Sequence, residues 1–200
     1  MQTRIRIVAL GDSTTAGTPG YLSPIEAPPH GRGDETSQYA YWLMKVHQDW
    51  EVLNRGVDGQ RTDQIAARFD RDVIAAAPRA VVIIAGVNDI YQGRSVEYVT
   101  TELRKMYDRT LRGGIKLVAG SIIPFNTARP EQNERMRVVN EWIRAQSNAS
   151  IAFVDTRAAV AAPGKPDLLV SSPDQLHPSV DGYRRMADAI GPVLAKVLIS

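Results

Sequence analysis

Short, dense apolar runs alternate along this chain with longer stretches whose apolar positions recur every three or four residues. The runs at 4–10, 51–55, 80–85, 116–123 and 151–154 predict five β-strands. Those around Val81-Val82-Ile83-Ile84 and Leu117-Val118-Ala119 are apolar on both faces, as strands between two helix layers are. Helices are predicted over 38–48, 63–76, 96–111, 131–146 and 180–198. The first carries Tyr39, Trp42, Leu43 and Val46 on one face, and the second a stripe of Ile65, Phe69, Val73 and Ile74 that stops before Pro78. Gly113-Gly114 ends the third, and Ser179 after Pro178 is a candidate N-cap for the last. Strand and helix in alternation imply an α/β fold, a three-layer α/β/α sandwich around a five-stranded parallel sheet. By analogy with flavodoxin-like folds the expected strand order is 2-1-3-4-5.

Two stretches break the rhythm. Residues 18–36 hold Pro19, Pro24, Pro28 and Pro29 with three glycines, and residues 162–176 are similarly irregular. Loops of that length in a compact fold usually carry function.

Length and composition narrow the picture without redirecting it. Two hundred residues suit one domain, here 1–200, and 44% hydrophobic with 23% charged residues is ordinary for a globular chain. Twenty-four basic residues against 22 acidic ones give a net charge of only +2, with no like-charge run, so nucleic acid is not an expected partner. With no cysteine, disulfides, thiolate catalysis and Cys-based metal sites are excluded. No apolar stretch approaches a membrane span, and the N-terminus lacks the features of a secretory signal. A cytoplasmic location is therefore expected of the chain as it stands.

Candidate chemistry clusters where strands end. Val8-Ala9-Leu10-Gly11-Asp12-Ser13 puts a serine on the turn after the first strand, the end at which parallel sheets bind ligands. Serine is also a common turn residue, and this segment is not a Gly-x-Ser-x-Gly elbow. Asp174-Gln175-Leu176-His177-Pro178 offers an imidazole able to take a hydroxyl proton, with an aspartate three residues earlier to fix its tautomer. Gly86-Val87-Asn88-Asp89 ends a buried strand with a primary amide suited to a developing oxyanion, though Asn favours turns as well. Gly59, after the second strand, could add a backbone N–H where a side chain would block approach.

Taken together, Gly-Asp-Ser-Thr, the Gly59 segment, Gly-Val-Asn-Asp and Asp-Gln-Leu-His-Pro resemble the four sequence blocks of the GDSL/SGNH hydrolase family, from the first strand to the last helix. The resemblance implies a serine esterase acting on small carboxylic esters through an acyl-enzyme, with no metal and no cofactor. It assigns the triad to Ser13, Asp174 and His177, and the oxyanion hole to the Ser13 and Gly59 N–H groups and the Asn88 side chain. Thr14 stands where the family commonly has Leu or Ile, and Gly56 competes with Gly59 for its block.

The substrate is less constrained. Tyr21, Ile90, Tyr91, Phe125, Asn126 and Leu176 are candidate pocket residues, with 18–36 as a wall or lid, and a short acyl group is expected because no long apolar groove is evident. Within the same family, a carbohydrate O-deacetylase, a thioesterase or a lysophospholipase are alternatives. From another class, Ser13-Thr14-Thr15-Ala16-Gly17-Thr18 resembles the phosphate loop of flavodoxins, which would make this a flavin-binding protein. That reading leaves Asn88, Asp174 and His177 unused, and Pro19-Gly20 interrupts the helix such a loop opens. A family member reduced to a binding module is a third possibility, which turnover of p-nitrophenyl acetate would exclude.

Overall fold

The computed structural model describes residues 4–199. Five strands, β1 (Ile5–Gly11), β2 (Trp50–Gly56), β3 (Ala80–Ile84), β4 (Lys116–Gly120) and β5 (Ile151–Val154), pair in parallel in the order β2-β1-β3-β4-β5. This is the 2-1-3-4-5 arrangement expected from the sequence. The helices are α1 (Ser13–Ala16), α2 (Tyr39–Val46), α3 (Thr62–Ala67), α4 (Val87–Tyr91), α5 (Val96–Arg112), α6 (Pro130–Ala145), α7 (Thr156–Val160) and α8 (Val180–Ile199).

The pleat of the central strands separates two cores. Val8 and Leu10 of β1 pack with Ile65 of α3, Leu103 of α5 and Met136 of α6. Ile7 and Ala9 point the other way, to Tyr39 of α2 and Tyr183 and Ile190 of α8. All five residues of β3 are buried, which is why that run is apolar throughout. Burying each such Val or Ile contributes about 1.5–3 kcal/mol.

Several boundaries differ from the expected ones, each for a local reason. The fourth strand stops at Gly120 rather than 123, because Ile122 leaves the sheet to bond the Asn140 side chain of α6 through both its N–H (2.7 Å) and its carbonyl (2.9 Å). The helix expected over 63–76 is broken: α3 ends at Ala67 and a π-helical turn follows over Asp70–Ile74. The break lies at Arg68, whose buried guanidinium bonds the carbonyls of Gly11 and Arg55 (both 2.8 Å), and so ties the ends of β1 and β2 together. Asp72 closes the ion pair at 2.6 Å. Ser179 does lie at the start of α8, its Oγ accepting the Gly182 N–H at 3.3 Å.

The irregular stretches are ordered. Within 18–36, Tyr21–Leu22 and Arg32–Gly33 form a small antiparallel ribbon, and Ala161–Ala162 pairs with Lys165–Leu169 in a second. No helix among the described residues is long and apolar enough to cross a membrane.

Candidate active site

The carboxyl ends of β1, β2 and β3 open onto a cleft of about 130 Å³. Ser13 enters it from α1, the single turn after β1. Asp12 caps that turn with Oδ1 accepting the Thr14 N–H at 3.0 Å, and Gly17 ends it in a left-handed conformation. α1 lies hard against β2: a Cβ added at Gly56 would run into the Ala16 backbone, so the alternative block-two glycine is needed for close packing. Gly59 is favoured for a different reason than crowding. Its surroundings are open, but its φ of +72° is a conformation L side chains rarely adopt.

His177 lines the same cleft from the loop before α8. Its Nδ1 lies 2.7 Å from Asp174 Oδ2, and Asp174 Oδ1 also accepts the N–H groups of Leu176 (2.9 Å) and His177 (2.8 Å). Gln175, at φ +65°, makes the reversal that lets the carboxylate fold back on the imidazole. Partial burial pushes the Asp174 carboxyl up, but the His177 ring and those two backbone donors outweigh it and hold it at about 2. The carboxylate is therefore ionised at neutral pH, as an imidazole's orienting partner must be. Among the described residues, no hydrogen bond joins Ser13 Oγ to His177, whose ring bonds Asp174.

Asn88 reaches the cleft from α4, its Nδ2 donating to the Gln60 carbonyl at 3.0 Å. That bond draws the Gly59 turn and α4 together across β1. Asp58, the neighbour of Gly59, lines the cleft, whereas Gly59 itself is exposed beside it.

Of the expected pocket residues, Tyr91, Phe125 and Leu176 do line the cleft, with the Tyr91 and Phe125 rings edge to face at 5.9 Å. The other three do not. Ile90 is 1% exposed and belongs to the core, because α4 turns positions 88 and 91 to the cleft and 90 inward. Tyr21 is buried, its hydroxyl donating to the His30 carbonyl at 2.6 Å. Asn126 is a clamp: its N–H donates to the Gln175 carbonyl and its Oδ1 accepts the Leu169 N–H, both at 2.7 Å, so it steadies the His177 loop from outside the cleft. Residues 18–36 contribute nothing to the lining and are instead pinned to the end of β2, through Ser23 Oγ to the Gly56 carbonyl and Glu26 to the Asp58 N–H. The sequence reading missed Thr14, Asp58, Val87 and Ile123 as lining residues, although three of them sit inside or beside a motif it had singled out.

A sequence model of the GDSL-like lipase/acylhydrolase family matches residues 9–185. The chain belongs to that family. An acetylxylan esterase from Geobacillus stearothermophilus is 32% identical to this GDSL-family chain over 154 residues, 69% of each protein. Among solved structures, a member of the lipolytic G-D-S-L family from Veillonella parvula superimposes with a TM-score of 0.77 at 22% identity, covering 96% of this chain and 99% of the other. An acetyl-xylooligosaccharide esterase from the same Geobacillus species, a W190I mutant, gives 0.74 at 21% identity, covering 95% and 94%. These likenesses extend the shared fold over nearly the whole chain. The family and its acetylxylan esterase relative make this GDSL-family protein a hydrolase acting on esters.

Proposed function

We propose that this protein is a serine esterase of small carboxylic esters, working through a Ser13–His177–Asp174 triad and an acyl-enzyme. The observation that carries the reading is the 2.7 Å pairing of His177 Nδ1 with an ionised Asp174, on an imidazole that shares its cleft with Ser13. With Nδ1–H committed to Asp174, Nε2 is free to take the Ser13 proton as Oγ attacks the ester carbonyl. The oxyanion is received by the N–H groups of Ser13 and Gly59 and by the Asn88 amide. His177 then returns the proton to the departing alkoxide, and water repeats the sequence on the acyl-enzyme.

The cleft supports a short acyl group. At about 130 Å³ it is small, and Val87, Ile123 and Phe125 put apolar side chains into its lining. Turnover of p-nitrophenyl esters should therefore peak at acetate to butyrate and fall at least tenfold by octanoate. A rate that rises through octanoate would refute the short-acyl reading.

A carbohydrate O-deacetylase is a second reading, favoured by the acetylxylan esterase relative and by the half-open cleft, whose exposed Tyr91 and Leu176 leave space for a bulky alcohol. Release of acetate from acetylated xylan tests it. No release, with p-nitrophenyl acetate turned over, would count against a sugar substrate.

A further inference from the structure

The two outer donors of the proposed oxyanion hole ride on segments that the sheet does not join. Gly59 follows β2 and Asn88 follows β3, and these strands lie on opposite sides of β1. Strand pairing alone therefore leaves their spacing loose, whereas an oxyanion needs its donors within about 2.7–3.1 Å of one point.

What crosses β1 is a short set of bonds between the Gly59 turn and α4. Arg61 Nη1 to Gln92 Oε1 (2.9 Å) is exposed, and the Asn88–Gln60 bond involves a proposed donor itself. The remaining link is buried and two-pronged. Asp89 Oδ2 accepts the Thr62 N–H at 2.9 Å, and Oδ1 accepts the Thr62 hydroxyl at 2.7 Å. Both residues are 0% exposed. Asp89 directly follows Asn88, and Thr62 lies three residues past Gly59. Neither side chain lines the cleft.

We propose that Asp89 and Thr62 are positioning residues, a buried clasp that sets the spacing of Asn88 and Gly59 for the oxyanion. The proposal rests on the oxyanion reading above. Burying a carboxylate is unfavourable, and Asp89 is pushed up by burial against the pull of its Thr62 bonds. A leucine would fill the same space with no such penalty but could not grip Thr62 at two atoms. The clasp acts only when charge develops on the carbonyl oxygen, so its loss lowers kcat and leaves KM nearly unchanged.

The test compares kcat and KM for p-nitrophenyl acetate, and thermal unfolding, in Thr62→Val, Thr62→Ser, Asp89→Leu, Asn88→Ala and Thr62→Val/Asn88→Ala. Thr62→Val and Asp89→Leu should each lose about 10–100-fold in kcat, the range a small misplacement produces, with KM within about twofold. Thr62→Ser, which keeps the hydroxyl, should stay within about threefold of the native rate. In the Asn88→Ala background most of the Thr62→Val loss should vanish, because one of the two donors it positions is gone. If Asn88→Ala lowers kcat while Thr62→Val and Asp89→Leu do not, the clasp is overturned and the oxyanion reading stands. The same fold-loss from Thr62→Val in both backgrounds marks a general structural role and also overturns it. An unchanged kcat in Asn88→Ala removes the oxyanion reading and the clasp with it. Should Thr62→Val fail to fold, Asp89→Leu and Thr62→Ser carry the same comparison.

Discussion

Asp12 lies 1% exposed beneath the turn that presents Ser13, and burial pushes its carboxyl up to about 7 against its hydrogen bonds from Thr14 and the nearby His177. Its ordinary value is 3.8, so between those limits the folded protein holds a proton that the unfolded chain releases. Stability is thus lost as pH rises through that window. Asp12→Asn keeps an acceptor for the Thr14 N–H and has no proton to lose. Relative to the native protein it should gain stability on going from about pH 5 to pH 8, by an amount on the order of 1–3 kcal/mol. Urea unfolding at both pH values measures it, and an identical difference at the two would contradict the assignment. Gly59, at φ +72°, should tolerate Asn better than Ala: Gly59→Ala is expected to lose about 1 kcal/mol, read in the same assay, and Gly59→Asn less. At this scale the grouping of Ser13, Asn88 and His177 in one cleft, with Asp174 bonded to His177, was legible because each sits in a short block beside a strand or helix end. Ile90 was misread because a five-residue helix is too short to show which positions face inward. Tyr21 and Asn126 were misread because their hydrogen bonds run to residues 9 and 43 positions away, which no local pattern reports.

At the scale of elements, one side chain shapes a whole segment. The stripe Ile65, Phe69 and Val73 is fully buried as its spacing predicts, yet the helix breaks and leaves Ile74 40% exposed. Arg68 explains this. Its side chain is 7% exposed, its Asp72 partner 2%, and burial lowers the guanidinium's pKa against the pull of that carboxylate. It also bonds Gln60 Oε1 at 2.7 Å, so it braces the Gly59 turn from below. Arg68→Met should therefore strip the Gly11 and Arg55 carbonyls of a donor and leave Asp72 with only the exposed Arg71. The expected loss is about 3–5 kcal/mol in urea unfolding. A loss under about 1 kcal/mol would show that water replaces the guanidinium without penalty. The sequence displayed the apolar stripe but not a buried arginine bonded to carbonyls 13 and 57 residues away.

For the whole molecule, the layering was legible because five apolar runs alternate with helical periods, whereas the strand order rested on analogy with flavodoxin-like folds and agrees with the observed one. The two small ribbons, with strands of two to five residues, were not legible, since segments so short show little periodicity. What the fold achieves is convergence. Ser13, Asn88 and His177, far apart in the chain, line one cleft at the carboxyl ends of neighbouring strands, the place where parallel sheets bind ligands, with Asp174 bonded to His177. The central claim is that Ser13 becomes covalently acylated there. Its most direct measurement is intact-protein mass after treatment with diethyl p-nitrophenyl phosphate, followed by peptide mapping. The account predicts one diethylphosphoryl group on Ser13 in the native protein and none on Ser13→Ala; undiminished labelling of Ser13→Ala, or an adduct mapped to another residue, would contradict it.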